Sequence, residues 1–306
     1  MISYSKIIRE AYKVTVRNPI FWLFGLFLAG GFNLNFLHFQ NLDWTLPQAE
    51  VEFYRILFFF QSKPEMLTFF SLGLLFGTLL SLFLTNWSKI MLVLGADTFL
   101  EKKSFFIKQE SHKSLRFLCP VIKVSLITSG LLLSAAVVLL VPPVFFVKSL
   151  EYQTLFWLLG ALVFLPLAFT VSCLNIFGSF FIVEFKVSAG KALDLATDLF
   201  ATCWTKIFAL AVILMLIYAG VFVLGVGGIL FVKFIIGTLV TTVPGLGNLQ
   251  FFGMIMASRI VSGILLWVLV AGLNVFFSTA LLLLFKELIE ESKHRKEANS
   301  PVHVAV

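Results

Sequence analysis

The stretch LTFFSLGLLFGTLLSLFLTNWSKIMLVLGAD, residues 67–97, decides how this chain is read. From Leu67 to Leu84 it carries no charged side chain, and a helix that crosses the hydrocarbon core of a bilayer needs roughly 20 such residues. It then meets Asn86, Lys89 and Asp97. Polar groups in such a run are tolerated only where protein, water or a lipid headgroup lies within reach.

Runs of the same kind recur on both sides of it. Six spans are predicted, at about 19–36, 67–97, 121–147, 154–183, 205–232 and 255–285. Of the 306 residues, 59% are hydrophobic and 13% charged, and mean hydropathy is +1.00. A soluble domain must cover itself with polar surface and does not carry so little charge. The fold class expected is all-α, a polytopic transmembrane helical bundle. A further apolar piece, Phe234–Val243, follows the fifth span and ends at Pro244-Gly245. It is short for a crossing and reads as an interfacial or re-entrant segment.

Lysine and arginine set the orientation. Lys6, Arg9, Lys13 and Arg17 precede the first span; Lys102, Lys103, Lys108, Lys113 and Arg116 lie between the second and third. Lys186, Lys191 and Lys206 lie between the fourth and fifth, and Lys286, Lys293, Arg295 and Lys296 end the chain. With six spans all of these share one side with both termini, the cytoplasmic side of the inner membrane. A seventh crossing would export the basic tail. The net charge of +7 is explained by this topology, and no nucleic-acid partner is implied. The loop from Asn35 to Pro64 on the other side holds Trp44, Phe53, Tyr54 and Phe58, which predicts a segment lying on the outer interface.

Three stretches resemble one another: LTNWSKIMLVLGAD (84–97), SCLNIFGSFFIVEF (172–185) and AGLNVFFSTALLLLFKEL (271–288). Each carries an asparagine, Asn86, Asn175 or Asn274, followed by a serine two to four residues later. Each ends on an acid at the inner boundary, Asp97, Glu184 or Glu287. Amphipathic segments at 4–16, 113–117 and 192–208 lead into the first, third and fifth spans. In the first, Lys6, Arg9, Lys13 and Arg17 share a face, and Tyr4, Ile8, Ala11 and Thr15 turn elsewhere. The expected unit is an interfacial helix plus a helical hairpin, repeated over 1–97, 98–184 and 185–287 within one transmembrane domain, 1–290. Residues 291–306 are expected to form a flexible cytoplasmic tail.

Asn86, Lys89, Asn175 and Asn274 form the candidate intramembrane polar site. The asparagines either bond between helices or line a polar cleft on the bundle axis. Lys89 either snorkels to the inner headgroups or points inward, toward an acid or an anionic ligand. Gly73 and Gly77 form a small-xxx-small pair suited to close helix packing. Pro166 is expected to kink the fourth span, and Pro142-Pro143 to distort the outer end of the third.

Nothing in the chain spells out an enzyme. His38, His112, His294 and His303 are never at metal-ligand spacing, and no nucleotide-binding glycine pattern occurs. Ser88 and Lys89 are adjacent, so they do not face each other on a helix. No cofactor and no metal site are expected. Cys119, Cys173 and Cys203 imply no disulfide framework.

Three segments carry a family resemblance: AYKVTVRNPIFWLFGLF (11–27), SHKSLRFLCPVIKVSLI (111–127) and FFIVEFKVSAGKALDLATDLFATCWTKIFAL (180–210). In layout the chain resembles a bacterial family of integral membrane proteins that includes the YciC-like proteins. The family also takes in the membrane domain of some glycerophosphoryl diester phosphodiesterases. The resemblance implies a role in lipid or envelope homeostasis. It transfers no catalytic residue. The leading expectation is a non-enzymatic membrane protein that handles lipids, with membrane lipids as partners. The alternatives are a small-solute transporter or channel, and a scaffold acting with a membrane protein partner or as a homo-oligomer.

Overall fold

The structure is a computed structural model that describes residues 2–28, 62–101, 105–140, 150–242 and 248–299, with residues 58 and 142 besides. Among the described residues it is built from seven helices, α1 (Tyr4–Arg17), α2 (Ile20–Leu28), α3 (Pro64–Leu100), α4 (Ile107–Leu140), α5 (Leu150–Phe185), α6 (Ala189–Thr242) and α7 (Asn248–Asn299). Five of them, α3 to α7, are long and apolar enough to cross a membrane. The protein is therefore membrane-embedded. Residues 29–36 of the first predicted span lie outside the described residues. So do the aromatic outer loop up to residue 57, Lys102 and Lys103, Pro143, the turn at 244–247 and the chain beyond 299.

α2 to α7 form a ring in chain order, each against the next, and α7 closes it on α2. Inside the ring α3, α5 and α7 also touch one another. These are the helices that carry Asn86, Asn175 and Asn274. α1 lies against α7. It buries Ile7, Ala11, Val14 and Thr15 and exposes Lys6, Arg9 and Arg17. Of the residues expected to turn from the basic face, Ala11 and Thr15 are buried and Tyr4 and Ile8 half-buried, and Ile7 and Val14 join the buried stripe. Asn18 and Pro19 break the chain between α1 and α2, as expected where proline restricts the residue before it.

The core occupies one half of the bundle. Ile90, Met91, Val93 and Ala96 of α3 pack with Phe177, Phe181 and Ile182 of α5 and with Leu282, Leu284 and Phe285 of α7. Phe285 receives Phe181 edge-on at 4.9 Å and stacks with Phe177 at 6.1 Å. In the other half many of the described apolar residues are exposed. Residues 65–80 of α3 are exposed throughout, a length of roughly 24 Å. Leu133 and Val138 of α4, Leu158 and Leu162 of α5, and Val223 and Leu224 of α6 are likewise exposed. Gly73 and Gly77 make no close helix contact among the described residues: none of them lies within 4 Å of a β-carbon built on either.

The helices run longer than their predicted spans. α6 continues through Phe234 to Thr242, so the short segment read as interfacial or re-entrant is the end of one helix. The glycines at 225, 227 and 228 do not interrupt it. In an apolar medium a broken helix leaves backbone groups without partners, and this outweighs the weak helix propensity of glycine. The one departure from helical geometry inside α6 is at Cys203 (φ −122°, ψ 17°). It separates a first segment, which buries Ala192, Ala196 and Leu199, from the apolar remainder. Pro120 and Pro166 lie within continuous helices. At Pro120 the carbonyl that loses its donor belongs to Arg116, an exposed residue, where water or headgroups can satisfy it. The chain enters α6 through Lys186, whose φ of 53° is the left-handed conformation that commonly ends a helix.

Candidate functional site

The polar residues of the apolar runs meet in two places. On α3 the residues Thr78, Ser81, Thr85 and Lys89 follow one another at helical spacing of three or four and face a common groove. Asn86 lies beside this stripe. Its side-chain amide donates to the carbonyl of Leu82 at 2.8 Å, and its oxygen accepts from Ser125 of α4 at 2.6 Å. Ser125 also approaches the side-chain oxygen of Asn175 of α5 at 3.4 Å, and Lys89 Nζ donates to that oxygen at 3.3 Å. Asn86, Lys89 and Asn175 are thus brought together through Ser125. Lys89 turns inward onto Asn175 and not outward along the helix surface, the first of the two directions expected for it.

Asn274 stands apart from this cluster. Its amide donates to the carbonyl of Gly25 on α2 at 3.0 Å. The bond requires close approach of α2 and α7, and glycine supplies it: a β-carbon on Gly25 would lie 2.2 Å from the carbonyl oxygen of Ala271. α2 is fixed further by Trp22, whose indole donates to the carbonyl of Thr15 at 2.8 Å.

Two cavities meet at Lys89. The larger, 690 Å³, is an open groove lined by Leu74, Thr78, Ser81, Asn86, Ser129 and Asn175 among others. The smaller, 240 Å³, includes Leu92, Ser179, Phe180, Asn274 and Phe277 in its lining. Lys89 lines both. Among the described residues no carboxylate forms an ion pair with Lys89. An apolar cavity of 220 Å³ between α5, α6 and α7 holds Cys173 in its wall.

The second meeting place is at the far end of the core. Lys286 of α7 pairs with Asp97 of α3, and Glu184 Oε1 of α5 lies 3.5 Å from the same ammonium. Two of the three boundary acids therefore share one cation. Glu287 makes no ion pair among the described residues. Beside this cluster Lys206 pairs with Glu291 at 2.5 Å, and the Tyr4 hydroxyl approaches the backbone oxygen of Lys206 at 3.4 Å. On α1 the Lys13 ammonium bonded to Glu10 at 2.6 Å holds that carboxyl below the ordinary carboxylate range.

Sequence reading missed Ser125, which joins the two asparagines, and Lys286, which joins the acids. The spacing of Thr78, Ser81, Thr85 and Lys89 was the available signal for the groove. No comparable signal marked Ser125. Among the described residues no three His, Cys, Asp or Glu side chains are grouped so as to hold a metal ion. No disulfide joins the three cysteines; Cys119 is exposed, and Cys173 and Cys203 are buried. Comparison with protein-family models, with curated proteins and with solved structures finds no match for this chain.

Proposed function

We propose that this is a non-enzymatic, six-span protein of the cytoplasmic membrane that binds membrane lipids and acts in lipid handling or envelope homeostasis. One observation carries the reading: a groove with a polar floor runs out along a helix segment, residues 65–80, that is exposed throughout. In a bilayer such a groove is filled from the side, by molecules that are themselves half polar and half apolar. The resemblance in layout to the YciC-like proteins supports the same reading.

Both termini lie in the cytoplasm in this reading, because every strongly basic segment then escapes translocation. α2 supplies the start of the first span and α3 to α7 the other five. Three units of interfacial helix plus hairpin are supported by several features. The ring closes in chain order, the three asparagine-bearing helices meet inside it, and amphipathic segments precede Pro19, Pro120 and Cys203.

The test is native mass spectrometry of the full chain released from detergent, with parallel flux assays in liposomes. Retention of phospholipid adducts and no solute flux is expected. Bare protein that conducts a solute would replace this reading with a transporter. That second reading has its own support: Lys89 lines two cavities that together reach from Leu74 to Leu282, as a stepwise path requires.

A further inference from the structure

The groove that ends at Lys89 holds a cation and several neutral hydroxyl and amide groups, and no carboxylate among the described residues of its lining. The ammonium has three N–H groups, of which one is placed on Asn175. Of the amide oxygens beside it, that of Asn86 accepts from Ser125 and that of Asn175 from Lys89 and Ser125. The Asn175 amide nitrogen donates to no described residue, and neither do the hydroxyls of Ser81 and Ser129. Among the described residues no acid lines either cavity. Asp97, the nearest acid along α3, is engaged with Lys286 two turns away. A cation held among apolar helices without a counter-charge is costly, and such residues are as a rule paired or mark a ligand path.

We infer that the groove is a binding site for a group of single negative charge, a phosphate diester or carboxylate, with Lys89 as its counter-charge. Asn175, Ser81 and Ser129 supply neutral donors around it. The charged group comes attached to a hydrocarbon chain. Above Lys89 the groove passes Leu82, Gly77 and Leu74, and a β-carbon on Gly77 would meet nothing within 4 Å. Beyond them α3 is uncovered. A chain leaving the floor therefore lies along a smooth apolar surface continuous with the bilayer. The inference rests on the lipid-binding reading above and names the ligand class.

The experiment uses the full chain in detergent with equimolar phosphatidylglycerol and phosphatidylcholine of matched chains, read by native mass spectrometry. A charge-assisted contact at Lys89 predicts roughly tenfold preference for the anionic lipid. Lys89→Gln is expected to bring the ratio near parity, and Lys89→Arg to keep it. Ser129→Leu, at an exposed position that lines the groove, fills the site without touching the core and is expected to lower the ratio even if Lys89→Gln does not fold. Equal retention of both lipids by the native chain, or a preference unchanged in Lys89→Gln and Ser129→Leu, overturns the anion site and leaves lipid binding standing.

A second arm measures inorganic phosphate alone by equilibrium dialysis. Weak or absent binding beside a clear lipid preference assigns the site to a headgroup. Phosphate binding that is lost in Lys89→Gln, with no lipid retained, supports the anion site with a free solute as its source and overturns the lipid reading. Absence of both kinds of binding overturns both.

Discussion

A β-carbon on Gly25 would lie 2.2 Å from the carbonyl of Ala271 and 2.8 Å from Val275 Cγ2, so this residue sets how closely α2 approaches α7. Gly25→Ala is expected to destabilise the fold by about 1–3 kcal/mol, the usual cost of overpacking a tight contact. It also pushes the Gly25 carbonyl away from Asn274. Gly73→Ala is the control. Its β-carbon meets nothing, and alanine gains up to about 1 kcal/mol of helix propensity. Thermal unfolding followed by tryptophan fluorescence should show the melting point fall for the first substitution and hold or rise for the second. Equal responses would mean that α2 and α7 are not in this contact. At the same scale the sequence marked Asn86, Lys89, Asn175 and Asn274 as polar groups in apolar surroundings. Which of them meet was not legible there, because spacing along a helix fixes a side chain's direction on its own helix only.

Three helices are tied at one end of the core by Lys286, Asp97 and Glu184. At the scale of these elements, removing the cation leaves two carboxylates facing each other across α3 and α5. Lys286→Met is expected to cost about 1–3 kcal/mol, less than at a fully buried pair because the Lys286 side chain is 37% exposed. Neutralising the acids as well, as Asp97→Asn with Glu184→Gln, should recover most of that loss. Melting curves of the single and triple variants decide it: a triple variant as unstable as Lys286→Met would show that packing of the lysine stem, and not charge, holds the helices. The Glu10–Lys13 pair on α1 joins neighbours on a single helix and is partly exposed. Glu10 contributes only above the pH at which its depressed carboxyl titrates, and that contribution fades as pH falls through the acid range. Screening by solvent keeps it small.

For the whole molecule the decisive question is which ends share a side of the membrane. With six spans, single cysteines at Ser5, Lys113 and Lys191 lie in the cytoplasm and one at Lys63 lies outside. Membrane-impermeant maleimide applied to intact cells should label the last and spare the others until the membrane is opened. Labelling of Lys113→Cys and Lys191→Cys in different compartments would defeat the topology and, with it, the triple unit. The uncovered apolar half of the bundle belongs to this scale too. A ring of long helices packed at one end leaves the other end to lipid, and this asymmetry exposes the groove.

Hydrophobic content, helix positions and the basic segments were set by the sequence alone, because transfer free energies and translocation preferences act locally and sum along a chain. Helix ends were less legible: continuity through Pro120 and through the glycines of α6 depends on what surrounds the backbone, not on the residue itself. Only the tertiary structure decided that Ser125 joins Asn86 to Asn175, that Asn274 turns to Gly25, and that Lys286 rather than Glu287 faces the other boundary acids. These are contacts between helices far apart in the chain. The order of neighbours round the ring and the rotation of each helix about its axis choose such partners, and neither quantity is written in any one segment.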